Sequence, residues 1–184
     1  VIPAFLFTNG GKKIRQFDDA GGLLLIENLW ASTISHYDNY HEFTLYLEEQ
    51  FRFVESLPEN IHLRLTVRLL SIFKAMRSFE DLRWRDRSPN TKIDLGVIDI
   101  KKLIAQSRLV VHSYDSTGIF ETLALNIPTI CFWRGGLSHL LPGARLFYEL
   151  LADAKMFFYA PDEAAMFIGE HWDNVDGWWG SAKV

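Results

Sequence analysis

The sequence contains very little cysteine. Cys131 is the single cysteine among 184 residues, which excludes an internal disulfide framework and a thiolate metal cluster. Its position inside an apolar run indicates a small buried core residue. No group of histidine, cysteine and carboxylate side chains has the spacing of metal ligands, so we predict no bound metal ion. This cysteine usage fits a reducing compartment, and we expect a cytoplasmic location.

The sequence also lacks long apolar runs and clusters of basic residues. No apolar stretch approaches the roughly 20 residues that a membrane-spanning helix needs, so we predict no integral membrane segment. The formal net charge is −4, and lysine and arginine are not concentrated in one stretch, which argues against a nucleic-acid partner. Apolar residues are plentiful instead: 48% of the chain is hydrophobic and 14% is aromatic, enough to bury one sizeable core.

Predicted strands and helices alternate along most of the chain. Short apolar or alternating runs predict strands at 23–26, 63–68, 92–94, 108–113, 129–133 and 156–158. Helical spacing predicts helices at 38–56, 71–79, 99–106, 117–125, 144–152, from 161 onward, and at 172–179. The charged stretch 83–90 is predicted to be a polar loop. This alternation predicts an α/β domain with a parallel sheet covered by helices on both faces.

The N-terminal residues do not follow this alternation. The chain begins at Val1 and runs directly into an apolar stretch at 2–7. We therefore interpret residues 1–22 as a linker or the tail of a missing N-terminal domain. Residues 23–184 then form the α/β domain.

Segment 113–128 (SYDSTGIFETLALNIP) combines a strand end, a polar turn and a helix start. Ligands of open α/β sheets lie beyond the carboxyl ends of strands, and the amides of a helix N-terminus bind anions such as diphosphate. Gly118 lets a phosphate approach the backbone, while Ser116 and Thr117 add hydroxyl donors. Glu121 follows Thr117 by one turn and is placed to accept from ribose hydroxyls.

A simpler interpretation of the same segment remains open. Asp115 or Ser116 can be an ordinary N-cap, and Glu121 can merely support the helix start. A negative charge at Asp115 would repel a phosphate, so we assign this residue to capping or to a sugar hydroxyl.

Other polar residues near predicted strand ends are also candidates. Arg68 ends a predicted strand and can pair with a phosphate, or it can be an ordinary solvated or ion-paired arginine. Arg134 precedes two glycines in a flexible basic loop that can close over a ligand, or it can be a surface charge on a turn. His112 and His139 permit acid–base catalysis, but we favour a packed, hydrogen-bonded His112 and a non-catalytic His139.

Three tryptophans close the chain. Trp172, Trp178 and Trp179 can complete the core of this domain or can pack against a partner domain. We favour the first interpretation.

An ordered series of short segments resembles a family of bacterial surface-carbohydrate biosynthesis transferases related to the GT-B glycosyltransferases. The resemblance covers about residues 62–184 and, weakly, 23–30. Its segments are LTVRL at 65–69, RWRD at 83–86, IAQSRLVV at 104–111, YDST at 114–117, ETLALNIPT at 121–129, FW at 132–133, APDEAA at 160–165 and HWDNVDGWW at 171–179.

The resemblance implies a GT-B architecture, in which two Rossmann-like domains enclose the active site. This chain would be the C-terminal domain, which holds a nucleotide-sugar donor, and a glycan would be the acceptor. Donor-binding residues would be Arg68, Ser116, Thr117, Gly118, Glu121 and Arg134. No metal or other cofactor is implied, because a helix N-terminus and basic side chains neutralise the leaving diphosphate. The catalytic base, often supplied by the other domain, is not identified, and peripheral contact with the inner membrane stays open.

The sequence departs from the family pattern at two places. Asp115 stands where asparagine is expected, and the loop 134–143 replaces an expected acidic or amide residue, a proline and a WELR-like stretch. The identity of the donor sugar is therefore in doubt. Two alternatives stay open: a nucleotide-sugar epimerase of GT-B-like fold, and a non-catalytic module that binds a nucleotide-sugar or a partner.

Overall fold

The computed structural model describes residues 18, 20–27, 40–71, 79–133 and 135–181. Its strands are β1 (Gly22–Ile26), β2 (Leu65–Arg68), β3 (Lys92–Asp94), β4 (Ser107–His112), β5 (Thr129–Phe132) and β6 (Phe157–Phe158). Its α-helices are α1 (Tyr40–Glu55), α2 (Glu59–His62), α3 (Glu80–Arg87), α4 (Ile100–Ala105), α5 (Thr117–Ala124), α6 (Pro142–Asp153), α7 (Pro161–His171) and α8 (Val175–Trp179). A 3₁₀ turn at Trp172–Asn174 joins the last two helices.

The six strands form one parallel sheet in the order β3-β2-β1-β4-β5-β6. The chain moves outward from β1 to β3, returns to place β4 beside β1, and then moves outward in the other direction. This is the doubly wound Rossmann order, whose switch point lies between β1 and β4. The predicted fold class is therefore confirmed.

Two glycines let β1 fit between its neighbours. A Cβ atom on Gly22 would lie 2.1 Å from the backbone oxygen of Arg64, and one on Gly21 would lie 2.5 Å from that of Gln106. Any side chain at these positions would push the adjoining backbones apart.

Alternate residues of each central strand are buried on opposite faces of the sheet. Leu23 and Leu25 pack in a core with side chains of α1, α7 and α8, whereas Leu24 packs with Leu103 of α4 on the other face. Residues of α5 and α6 form a further cluster around Trp133. Helices on both faces are thus confirmed. In the described ranges, none of them is long and apolar enough to cross a membrane.

The prediction of a polar loop at 83–90 is wrong, because most of this stretch belongs to α3. Trp84 is fully buried and meets the Phe51 ring edge-on, with centroids 4.8 Å apart. The rest of α3 is largely charged, including an ion pair of Asp81 with Arg85 one turn later. A single buried apolar residue, Trp84, produces no helical repeat of apolar residues, so the sequence pattern did not reveal this helix. The helix predicted at 71–79 lies mostly outside the described residues.

The C-terminal tryptophans belong to the core of this domain. All three side chains, Trp172, Trp178 and Trp179, are buried in the core that Leu23 and Leu25 share with α1, α7 and α8. The indole of Trp178 donates to the Ala154 carbonyl at 3.2 Å, and that of Trp179 donates to Asn126 Oδ1 at 3.0 Å. The favoured interpretation of these residues is confirmed.

Candidate functional site

The turn before α5 lies at the switch point of the sheet. His112, the last residue of β4, is in register with Ile26, the last residue of β1. Ser113 donates its hydroxyl hydrogen to the Ile26 carbonyl at 3.2 Å, so its oxygen accepts from the Tyr46 hydroxyl at 2.9 Å. These hydrogen bonds connect α1 with the ends of both central strands and so fix the position of the turn.

The predicted residues of α5 stand on its first two turns. Thr117 and Glu121 are both exposed and one turn apart, so a ligand can reach them. Ser116 is the N-cap residue, but its side chain makes no capping hydrogen bond. Its Oγ is instead buried and has no hydrogen-bond partner among the described residues. Side-chain capping of α5 by Ser116 was therefore the wrong interpretation.

Tyr114 lies between the core and this turn. Burial raises the pKa of its phenol above the ordinary value, and the nearby Ser116 hydroxyl partly offsets that effect. The negative charge of Glu121 raises the pKa slightly further. Tyr114 thus brings a neutral hydroxyl into the neighbourhood of Ser116 and Glu121.

Gly118 makes room for a neighbouring side chain. A Cβ atom at this position would lie 3.0 Å from Cε1 of His112 and 3.3 Å from Oγ of Ser116. The His112 imidazole therefore lies where a side chain at position 118 would be. Internal packing therefore disfavours a side chain here, whether or not a phosphate contacts the amide of Gly118.

His112 is a buried neutral imidazole with one unused nitrogen. It is 1% exposed, and burial lowers its pKa to about 3. Thr122 donates its hydroxyl hydrogen to the Ile119 carbonyl at 2.9 Å, so it accepts from His112 Nε2–H at 3.3 Å. Nδ1 is then a bare acceptor, and it has no partner among the described residues. Such a buried atom costs about 1–3 kcal/mol; the sequence alone gave no sign of it.

Of the two arginines predicted to bind the donor, the structure describes only Arg68. Arg68 lies at the carboxyl end of β2 and forms an ion pair with Asp94 at the end of β3. Both side chains are largely buried, at 14% and 5% exposure. The ion-paired alternative for Arg68 is thus the observed one, and Asp94 offsets its charge. Arg134 lies outside the described residues.

A buried carboxyl group, missed in the sequence, directly follows β1. Glu27 is 2% exposed, and burial together with the negative charge of Glu80 raises its pKa well above the ordinary value. The Trp84 indole donates to Glu27 Oε2 at 3.2 Å, which opposes the shift only in part. The signal available in the sequence was an acidic residue directly after a fully apolar strand.

Asp115 joins the turn before α5 to two other segments. The Tyr148 hydroxyl of α6 donates to Asp115 Oδ1 at 2.5 Å, and His139 Nε2 lies 3.2 Å from Oδ2. Burial, followed by this contact with Asp115, raises the pKa of the Tyr148 phenol. Asp115 therefore holds partners on α6 and on the 135–141 loop, and its assignment as a helix cap was wrong.

Within the described part of the chain, no three histidine, cysteine, aspartate or glutamate side chains converge as ligands of one ion. The polar groups near the carboxyl ends of the strands are instead hydroxyls, the buried carboxyls of Glu27 and Asp94, and the imidazoles of His112 and His139.

Fold and site together define an α/β domain of Rossmann topology with polar, partly unsatisfied groups at the switch point of its sheet. Residues 2–184 match the sequence model of the LIC12162 family transferase, and the chain belongs to this family. The transferase part of the resemblance is thereby confirmed. Comparison with curated proteins gave no match.

Proposed function

We propose that this chain is the C-terminal, donor-binding domain of a GT-B glycosyltransferase acting in surface polysaccharide biosynthesis. Its reaction would transfer a sugar from a nucleotide-sugar to a glycan acceptor held against a second, N-terminal domain. Membership of a transferase family and a Rossmann sheet support this assignment. One observation carries it: His112 Nδ1, a buried acceptor with no hydrogen-bond partner among the described residues, lies with the Ser116 hydroxyl against the start of α5 at the switch point.

The diphosphate of the donor would lie against the start of α5. First-turn amides and the hydroxyls of Ser116 and Thr117 would bind its oxygens, and the helix dipole would favour its charge. The same groups would stabilise the negative charge that develops as the diphosphate leaves. Glu121 would accept hydrogen bonds from the ribose, and Arg134 would add positive charge near the phosphates. Arg68 would reach a phosphate only through N–H groups that its ion pair with Asp94 does not use.

Binding of nucleotides tests this assignment directly. UDP, GDP, CMP and dTDP, and one sugar derivative of each, would be compared by thermal unfolding and calorimetry. We expect one base to be preferred, and a ligand at 100 times its Kd stabilises by about 2.7 kcal/mol. Absence of any shift at millimolar concentration would contradict the proposal.

A matched pair of variants locates the site. Glu121→Ala should weaken binding at least 10-fold while the unliganded protein keeps its stability. Glu163→Ala, an exposed glutamate in the first turn of α7, should bind like the unchanged protein. If Glu121→Ala lowers stability and leaves the Kd unchanged, the residue only supports the helix. Epimerisation of a UDP-sugar without acceptor would instead favour the epimerase alternative.

A further inference from the structure

Asp115, His139 and Tyr148 come from three separate segments and meet beside α5. We propose that His139 is the base that accepts the proton of the attacking hydroxyl, and that Asp115 and Tyr148 hold its imidazole in place. This inference rests on the proposed transferase site and assigns the proton acceptor to the donor-binding domain itself.

The hydrogen-bond pattern determines which nitrogen of His139 is available. An ionised Asp115 can only accept. Its Oδ1 takes the Tyr148 hydroxyl at 2.5 Å, so its Oδ2 takes a hydrogen from His139 Nε2 at 3.2 Å. The lone pair of a neutral His139 then lies on Nδ1, to which no described residue donates. Because the side chain is 46% exposed, an incoming hydroxyl can reach it.

The surroundings hold the imidazole in one orientation. The Trp133 ring meets His139 and Tyr148 edge-on, with centroids 6.2 Å and 5.4 Å apart. Trp133 is itself fixed by a 2.8 Å hydrogen bond from its indole to the Gly136 carbonyl. A carboxylate that accepts a hydrogen bond from one nitrogen of a histidine sets the tautomer of the imidazole. The same carboxylate stabilises the imidazolium that forms when the histidine takes a proton.

The position of Asp115 connects this group to the proposed donor site. Asp115 directly precedes Ser116, the N-cap residue of α5. In the reaction, the hydroxyl proton passes to His139 Nδ1 while the hydroxyl oxygen bonds to the anomeric carbon. The bond from that carbon to the diphosphate oxygen breaks, and its electron pair leaves with the diphosphate. The imidazolium, hydrogen-bonded to Asp115, later gives its proton to solvent.

Turnover is measured on the full-length protein as release of nucleotide from the donor that binds best, with water or a glycan as acceptor. His139→Asn and Asp115→Asn should each lower the rate about 100-fold or more, the range of a lost general base, with donor Kd changed less than 2-fold. His171→Asn, at the end of helix α7, which packs in a different core cluster from Trp133 and Tyr148, is the control and should keep the full rate. Imidazole added to His139→Ala should restore part of the activity.

Asp115→Asn also has a spectroscopic consequence. The amide can accept from Tyr148 through its oxygen and then donates through its nitrogen to His139 Nε2, so the imidazole hydrogen moves to Nδ1. Nitrogen-15 NMR should show His139 as the Nε2–H tautomer in the unchanged protein and as Nδ1–H in this variant. This exchange tests the hydrogen bond from His139 Nε2 to Asp115, and the rate of Asp115→Asn tests whether the reaction uses it.

Three results would overturn the proposal. The first is an unchanged rate in His139→Asn. The second is a loss of donor affinity that fully accounts for the lost rate, since His139 would then be a phosphate ligand. The third is an Nδ1–H tautomer in the unchanged protein. If no nucleotide binds to the unchanged protein, the proposed function itself fails, and that outcome is distinguishable from these three.

Discussion

Gly118→Ala tests whether the glycine is needed for the packing of His112. The new Cβ would lie 3.0 Å from His112 Cε1, 3.4 Å from Nδ1 and 3.3 Å from Ser116 Oγ. His112 has little room to withdraw, because it is 1% exposed and hydrogen-bonded to Thr122. Overpacking costs about 1–3 kcal/mol, and the helix propensity of alanine returns up to about 1 kcal/mol. We expect a net loss of about 1 kcal/mol in the free energy of unfolding, measured with urea.

Two further variants give this prediction its controls. Gly143 is the second residue of α6, as Gly118 is of α5, and a Cβ there would meet nothing within 4 Å. Gly143→Ala should therefore stabilise the protein by up to about 1 kcal/mol. In a His112→Ala background, Gly118→Ala should also become stabilising, because its closest neighbour is gone. If Gly118→Ala is stabilising in the unchanged protein, the steric reasoning is refuted.

Two other predictions concern buried charge. Because the folded-state pKa of Glu27 is raised above its ordinary 4.5, stability should fall as the pH rises from about 4.5 through the folded-state pKa. Glu27→Gln should remove this fall in urea unfolding between pH 5 and 8, and an identical pH profile would contradict it. Arg68→Met should cost about 3 kcal/mol, because it leaves the carboxylate of Asp94 buried without its partner. Arg87→Met breaks an exposed pair with Glu55 and should cost far less; equal losses would contradict the contrast.

Local patterns predicted most of the elements but not their arrangement. Leu23–Ile26 and Ser107–His112 are visible as strands because buried parallel strands are nearly continuous apolar runs. Their pairing beside each other depends on contacts more than 80 residues apart, such as Leu23 with Leu109, which no local pattern encodes. The alternation of strands and helices predicted a parallel sheet, the family resemblance implied a Rossmann-like domain, and the strand order itself was not predicted.

The candidate site was predictable to a similar degree. The start of α5 was found because a strand, a polar turn and a helix follow one another within 113–128. The partners of Asp115 could not be found this way, since His139 and Tyr148 lie 24 and 33 residues further along the chain. The unsatisfied nitrogen of His112 depends on the orientation of Thr122, which is a property of the folded structure alone.

The attachment of the 135–141 loop has an evolutionary consequence. Trp133 holds the loop through the Gly136 carbonyl and packs on Phe157 of β6, with centroids 4.6 Å apart. Positions 138 and 139 are exposed, so substitutions there leave the sheet and its helices undisturbed. Related sequences can therefore vary the exposed positions of this loop other than His139 without loosening its attachment, which depends on Trp133 and on a backbone carbonyl.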